Sequence, residues 1–89
     1  MNPSSTYRLE FDPRAWREIM ALPEAVQNQI FEAAEKLEKA PRPSGCKKLK
    51  RPGDFYRIRT VNYRIIYEVR DQALVVTVVR AGDRKDIYD

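Results

Sequence analysis

Histidine is absent from this chain of 89 residues, and cysteine occurs once, as Cys46. Without histidine the chain can build no imidazole-based catalytic triad, no HExxH zinc site and no imidazole acid/base pair. A single cysteine forms no internal disulfide, and we interpret Cys46 as a tolerated loop thiol. Any catalysis must therefore use arginine, lysine, tyrosine or carboxylate groups, and the sequence predicts neither a bound metal nor a cofactor.

Long apolar runs are also absent, although 43% of the residues are hydrophobic. No run approaches the length of a membrane-spanning helix. The N-terminal residues lack the basic start and apolar stretch of a signal peptide. We therefore expect a cytoplasmic protein with no membrane partner, and the length predicts one small domain spanning residues 1–89.

Positive charge is concentrated in the second half of the chain. The net charge is +4, but residues 1–40 carry 5 basic and 7 acidic side chains, whereas residues 41–89 carry 12 and 6. A basic half on a small domain is typical of proteins that bind a polyanion, such as a nucleic acid or an acidic protein segment.

The first half predicts a short strand followed by two helices. Tyr7–Phe11 alternates apolar and charged residues, as a half-buried strand does. Asp12 and Pro13 then favour a helix start, because Asp caps helices and Pro suits the first helical position. That helix should run to about Leu22, and a second helix should cover residues 23–40. The first helix should bury one face, made of Ala15, Trp16, Ile19 and Met20.

The second half predicts a loop and three strands. Residues 40–53 are rich in proline and basic side chains, which indicates a cationic loop. Strands are expected at about 54–60, 62–70 and 73–81, with a turn at Asp71-Gln72. Two helices with apolar faces need an apolar surface to cover, and the sheet supplies one. We predict a two-layer α+β fold in the order β-α-α-β-β-β.

The register of the first hairpin decides which side chains share a face. A two-residue turn at 60–61 would place Arg57 opposite Arg64. Arg57, Arg59 and Arg64 would then share a polar, basic face, because alternate residues of a strand point the same way. The opposite face would be apolar and would hold Tyr63, Tyr67, Val69, Leu74, Val76 and Val78, with Arg80 emerging at its edge.

The basic face is suited to phosphate, because the planar guanidinium of arginine forms bidentate hydrogen bonds. Gly82 can adopt backbone angles that turn the chain back over the sheet, which would bring Tyr88 to the arginines. Such a site suits RNA cleavage by attack of a ribose 2′-hydroxyl, since positioned cations stabilise the anionic phosphorane. Arginine is a poor base, so the reaction should be slow unless a partner surface positions the RNA.

Two segments resemble a known family. YRIRTVNYRIIYEV and LVVTVVRAGDRKDIY are similar to the core of RelE-type toxins of the RelE/ParE toxin–antitoxin superfamily, and YRLEFDPRAWREI resembles the family's first strand and helix. The resemblance implies a RelE-like fold and a ribosome-dependent mRNA endonuclease that cuts in the A site and inhibits translation. It also implies a cognate RelB-like antitoxin as a partner, besides the ribosome and mRNA.

The same resemblance assigns roles to five residues. Arg57, Arg64 and Arg84 would bind the scissile phosphate, Arg59 would accept the proton, and Tyr88 would orient the 2′-hydroxyl. Further contacts to RNA are expected from basic residues of the loop and the C-terminal segment, namely Lys47, Lys48, Lys50, Arg51 and Lys85.

Two departures from the family pattern leave alternatives open. Asp83 stands where many relatives have histidine or a basic residue, and its carboxylate would either repel phosphate or orient Arg84 through an ion pair. Arg57 and Arg59 stand where well-known members carry lysine, which weakens a general-base role. The alternatives are a ParE-like inhibitor of DNA gyrase and a catalytically weak homologue retained for antitoxin binding.

Overall fold

A computed structural model describes residues 6–60, 62–83 and 85–87. Within these residues the chain forms two helices and five strands, which confirms the predicted α+β class and adds one strand. The elements are β1 (Arg8–Phe11), α1 (Pro13–Met20), α2 (Glu24–Lys36), β2 (Lys47–Lys48), β3 (Phe55–Arg59), β4 (Tyr63–Arg70) and β5 (Val75–Asp83).

The five strands form a single sheet in the order β1-β5-β4-β3-β2. β1 runs parallel to β5, and the other neighbouring strands are antiparallel. β2 lies in the segment predicted as a loop, where Lys47 pairs with Arg57 and Lys48 with Tyr56. Two residues are too few to show a strand period in the sequence. Pairing with β3 produces this strand, because it satisfies backbone groups at the edge of the sheet.

Both helices begin near the predicted residues but end earlier. The Asp12 carboxylate accepts a hydrogen bond from the Arg14 backbone N–H at 2.9 Å, which confirms the cap. α1 ends at Met20 because Pro23 disfavours a helical conformation in the residue before it. α2 has no side-chain cap. Instead, Gln27 Nε2 donates to the Leu22 carbonyl at 2.9 Å and ties α2 to the link between the helices.

The helices cover one face of the sheet and bury the main core between the two layers. Its buried members are Ala15, Ile19, Ile30, Ala34, Leu37, Tyr56, Tyr63, Ile65, Tyr67, Val69, Val76, Val78 and Ala81. The core positions of Tyr63, Tyr67, Val69, Val76 and Val78 are confirmed.

Three large apolar residues predicted to be buried are exposed instead. Trp16 and Met20 are 46% and 42% exposed, because α1 turns only Ala15 and Ile19 into the core. The Trp16 ring rests at the surface, with its centroid 5.7 Å from that of Phe11. Leu74 is 41% exposed, because it ends the turn before β5 with a positive φ of 55° rather than continuing a strand.

The register of the β3–β4 hairpin differs from the prediction by two residues. Arg59 pairs with Arg64, and Arg57 pairs with Ile66, and the connection lies between Arg59 and Tyr63. Thr60 organises that connection: its Oγ1 accepts the Tyr63 backbone N–H at 3.2 Å, and its own N–H donates to the Tyr63 carbonyl at 2.8 Å. A shift of two residues preserves every side-chain direction. The predicted shared face of Arg57, Arg59 and Arg64 is therefore confirmed.

A bulge in β5 changes the direction of Arg80. Tyr67 pairs with Val78 and Ile66 pairs with Arg80, so Val79 is an extra residue between the two pairs. The insertion reverses the alternation along β5. Arg80 is therefore in register with Ile66 on the face away from the helices, and the predicted place on the apolar face is wrong.

Candidate active site on the open face of the sheet

The sheet face opposite the helices carries a cluster of cations that we name the arginine face, consisting of Lys47, Arg57, Arg59, Arg64 and Arg80. These residues lie in two rows of paired positions across the strands. The rows are Arg59–Arg64–Gly82 and Lys47–Arg57–Ile66–Arg80. Neighbouring members of a row are on strands about 4.8 Å apart. Like charges on neighbouring strands repel, and a group of cations this dense on a rigid sheet has the charge and spacing to bind a polyanion.

An apolar cluster lies beneath these cations, on a face predicted to be polar and basic. Leu49, Ile66 and Ile87 are 4%, 2% and 2% exposed, and Phe55 and Val79 pack against them. Arg57 and Arg64 are half-buried beside this cluster, whereas Arg59 is exposed. Charges held against an apolar floor interact more strongly with a bound anion than charges surrounded by water.

Arg64 also holds the C-terminal segment. Its Nη1 donates to the backbone carbonyl of Ile87 at 2.6 Å, across 23 positions of sequence. The contact joins the beginning of β4 to the last described residue of the chain. A side chain that was predicted to bind phosphate therefore has a second role in the fold.

Asp83 starts the turn that leads to Ile87. Its carboxylate accepts the Lys85 backbone N–H at 2.8 Å, and its carbonyl accepts the N–H groups of Asp86 and Ile87 at 2.9 and 3.1 Å. Asp83 thus caps a short helical turn, a role that neither of the two sequence-based interpretations included. Gly82 lies inside β5 opposite Arg64 and has no positive φ, so the chain turns at 83–87 and not through Gly82.

The predicted site residues Arg84 and Tyr88 lie outside the described residues. Arg57, Arg59 and Arg64 are brought together as predicted, and Lys47 joins them next to Arg57.

The other predicted RNA-binding residues are dispersed. Lys48 pairs with Tyr56 and points to the helix side, where its Nζ donates to the Gly53 carbonyl at 3.1 Å and to Asp54 at 3.2 Å. Arg51 stacks over the Phe55 ring, 4.1 Å from its centroid. Lys50 and Lys85 are exposed. The structure therefore places Lys48 away from the arginine face.

Sequence reasoning missed Glu18, which reaches the arginine face from α1. One carboxylate oxygen accepts Arg80 Nε at 2.8 Å and the other accepts the Ala81 backbone N–H at 3.0 Å. β1 stops at the Phe11–Val78 pair, so Glu18 replaces a neighbouring strand for the last part of β5. No local pattern in the sequence marks this residue, because both partners lie more than 60 positions away.

The two core tyrosines are unsuited to act as bases. Burial raises the pKa of Tyr67, and its hydroxyl donates to the Pro41 carbonyl at 2.7 Å. Burial also raises the pKa of Tyr63, although a hydrogen bond with Thr60 opposes the shift. Both hydroxyls therefore stay protonated at neutral pH and belong to the core, as predicted.

Neither a metal site nor a membrane-spanning helix occurs in the part of the chain that the structure describes. Residues 6–60, 62–83 and 85–87 contain no group of three or more His, Cys, Asp or Glu side chains placed to hold a metal ion. None of the helices formed by those residues is long and apolar enough to cross a membrane.

Comparisons with known proteins agree with this fold. A family model described as ParE toxin of type II toxin–antitoxin system, parDE, matches residues 9–88. The chain is 34% identical over 86 residues to the mRNA interferase toxin RelE of Escherichia coli K12, which covers 92% of this chain and 90% of that protein.

Solved structures give the same result. The archaeal RelE–RelB complex from Pyrococcus horikoshii matches with a TM-score of 0.79 at 29% identity, covering 92% of this chain and 99% of the other. The intact E. coli RelBE toxin–antitoxin complex matches with a TM-score of 0.74 at 34% identity, covering 86% and 95%. These matches define the class as a small toxin of a type II toxin–antitoxin system. Within that class, the chain belongs to the RelE/ParE superfamily and groups with its RelE-type members.

Proposed function

We propose that this protein is an endoribonuclease toxin that cleaves mRNA in the ribosomal A site, acts in the cytoplasm and thereby inhibits translation. The observation that carries the proposal is the shared placement of Arg57, Arg59 and Arg64 on one open sheet face, over an apolar floor. The relatives named mRNA interferase support the reaction class.

The chemistry follows from the charge of the site. The ribose 2′-oxygen forms a bond to phosphorus, the bond to the 5′-oxygen breaks, and the products are a 2′,3′-cyclic phosphate and a 5′-hydroxyl. The guanidinium groups of Arg57 and Arg64 stabilise the extra negative charge of the phosphorane. Arg59, the most exposed of the three, is proposed to hold the position of the proton acceptor. Because a protonated guanidinium accepts no proton, the proton of the 2′-hydroxyl passes to solvent water beside Arg59.

Residues of the C-terminal segment complete the proposed site. Arg84 would bind the phosphate and protonate the leaving oxygen, and Tyr88 would orient the 2′-hydroxyl. Lys47, Lys50, Arg51 and Lys85 would bind the RNA backbone beyond the scissile bond. With arginine in place of a better base, the proton transfers are the slow part of the reaction. The reaction therefore depends on the ribosome to position the mRNA.

A RelB-like antitoxin is the proposed inhibitory partner, since matched structures are RelB–RelE complexes. The arginine face is a suitable target for an acidic segment that folds on binding. Occupying the cations would prevent RNA from reaching them.

The test uses purified protein, ribosomes programmed with a defined mRNA, and mapping of new 5′ ends. Substituting Arg64→Ala should lower the cleavage rate on the order of 100- to 1,000-fold, because a charge-stabilising donor is lost. Arg57→Ala should show a smaller loss of the same kind. Wild-type rates in both variants would overturn the proposal.

Arg70→Ala is the matched control. Arg70 lies on the same strand and the same face as Arg64, but it is six residues away, or about 20 Å along the strand. It is exposed and pairs with Glu68 at 3.3 Å. Arg70→Ala changes the net charge by the same amount as Arg64→Ala. If cleavage depends on the arginine face and not on net charge, Arg70→Ala should cleave mRNA at a rate close to that of the wild type.

Inhibition of DNA gyrase is a second candidate, favoured by the match to the ParE toxin model over residues 9–88. A supercoiling assay with the same protein separates the two. Gyrase inhibition without mRNA cleavage would reverse the ranking. Antitoxin binding with neither activity would instead indicate a catalytically weak homologue.

A further inference from the structure

We infer that Ile87 is a positioning residue whose side chain is seated on Gly82 and whose carbonyl orients the Arg64 guanidinium. The inference rests on the proposed function for its catalytic consequence. Ile87 is 2% exposed and packs against Leu49 and Ile66.

Gly82 provides the seat for Ile87. A Cβ atom placed on Gly82 would lie 3.2 Å from Ile87 Cγ1 and 3.3 Å from its Cδ1. Both separations are shorter than ordinary van der Waals contact between carbon atoms. Since Gly82 has no positive φ, the close approach of Ile87 is the feature that favours glycine here, because a methyl group would shift the Ile87 side chain by a few tenths of an ångström.

Arg64 links this anchor to the proposed site. Arg64 pairs with Gly82 in the β4–β5 register, and its Nη1 donates to the Ile87 carbonyl at 2.6 Å. The position of Ile87 thus determines the direction of a guanidinium that is half-buried in the arginine face. Asp83 supports the arrangement from the other side, because its carbonyl accepts the Ile87 N–H at 3.1 Å.

The consequence is that a side chain with no chemistry of its own controls the geometry of the reaction. Misplacement of a catalytic group by about 1 Å lowers rates by about 100-fold.

The experiment measures kcat and KM for cleavage on programmed ribosomes, together with amide hydrogen exchange of residues 85–87. Ile87→Ala removes the side chain but keeps the carbonyl. We expect kcat to fall about 10- to 100-fold with KM changed less than about threefold. The Ile87 amide should lose its protection in the same variant. Ile87→Val, which keeps Cγ1 on the seat, should retain most of kcat.

A second pair of variants tests the seat itself. Gly82→Ala should lower kcat in the same way, because the new methyl group displaces Ile87. The double variant Gly82→Ala/Ile87→Ala should be no slower than Ile87→Ala alone, since two changes in one contact are not additive. If the decreases in kcat of the two single variants multiply in the double variant, Gly82 acts independently of Ile87, and the proposed contact between them is overturned.

Val26→Ala is the control for a general loss of stability. Val26 is a partly buried apolar residue of α2 that packs into the core on the helix side. Its truncation should leave both kcat and the protection of the Ile87 amide unchanged.

The outcomes separate this inference from the proposed function. A wild-type exchange pattern at 85–87 in Ile87→Ala would overturn the anchor, whatever the cleavage rate. Lost protection with full kcat would overturn its positioning role while the nuclease function stands. If the Ile87 amide loses its protection in Ile87→Ala but the wild-type protein cleaves no mRNA, the anchoring role of Ile87 stands and the proposed nuclease function is contradicted.

Discussion

The two faces of the sheet use the same strands for opposite purposes. Among the described residues, the helix-covered face contributes to a core of 13 buried residues, whereas the arginine face has three, Leu49, Ile66 and Ile87. The first face therefore supplies most of the stability, because free energy from burial scales with the apolar area removed from water. The second face buries only enough apolar surface to hold its cations in place.

Polar groups are also treated differently on the two faces. On the helix-covered face, the hydroxyl of buried Tyr67 donates to the Pro41 carbonyl, so the group is satisfied within the fold. On the arginine face, Arg59 and Arg64 are direct cross-strand neighbours with like charge. Such a pair is unfavourable in isolation. The difference indicates that the helix-covered face stabilises the fold, whereas the arginine face carries charges that are suited to an anion.

The largest expected effect tests whether stability is concentrated on the helix-covered face. Ile30 is fully buried in that core, and Ile30→Ala should lower the free energy of unfolding by about 2–5 kcal/mol through the cavity it creates. Val79→Ala, on the arginine face, truncates a half-buried side chain and should lower the free energy of unfolding by a smaller amount. Urea denaturation of both variants makes the comparison. Equal losses would contradict the assignment of stability to one face.

A smaller effect is expected where α1 meets the arginine face. Glu18→Ala removes the acceptor for Arg80 Nε and for the Ala81 N–H, and it should destabilise the protein by about 1–3 kcal/mol because partly buried donors lose their partners. Glu18→Gln keeps an acceptor oxygen and should lose less. Urea denaturation and exchange of the Ala81 amide measure both. Unchanged exchange in Glu18→Ala would show that Glu18 does not hold β5.

The smallest effect concerns a charged cluster far from the arginine face. Arg42 donates to both Asp71 oxygens at 3.1 and 2.8 Å, and the Tyr7 hydroxyl donates to Asp71 at 2.6 Å. Hydrogen bonds from Arg42, and then from Tyr7, lower the pKa of Asp71. A carboxylate whose pKa is lower in the folded state stabilises the protein above its unfolded pKa of about 4, and that stability is lost as the pH falls through the folded pKa.

Asp71→Asn should therefore destabilise the protein slightly at pH 7, and the difference from wild type should disappear as the pH falls through the lowered pKa that Asp71 has in the folded protein. Urea midpoints measured across this range provide the test. Asp54→Asn, which removes a surface carboxylate paired with Lys48 at 3.2 Å, serves as the control. A constant difference between Asp71→Asn and wild type at every pH would show that the charge of Asp71 plays no part.

Much of the site could be predicted because strand alternation is a local property. The shared face of Arg57, Arg59 and Arg64 depends only on the period of two, so it was predicted correctly even though the turn was assigned wrongly. The burial of Tyr63 and Tyr67 followed from the same alternation. The bulge at Val79 leaves no local signal, and Arg80 was consequently placed on the wrong face.

The amino-acid sequence by itself determined the order of every element except β2, the side of the sheet on which each β3 and β4 residue lies, and the family resemblance. Only the tertiary structure decided what surrounds the arginines. Arg80 contacts Glu18 and Arg64 contacts Ile87, and in both cases the partner is distant in the sequence. Ile87 in turn packs against Gly82, which lies opposite Arg64 across the β4–β5 pair. Local periodicity carries no information about such contacts, because they form only when distant segments pack together. The local sequence pattern thus determined which β3 and β4 residues lie on the arginine face, and tertiary packing determined the contacts that hold their side chains.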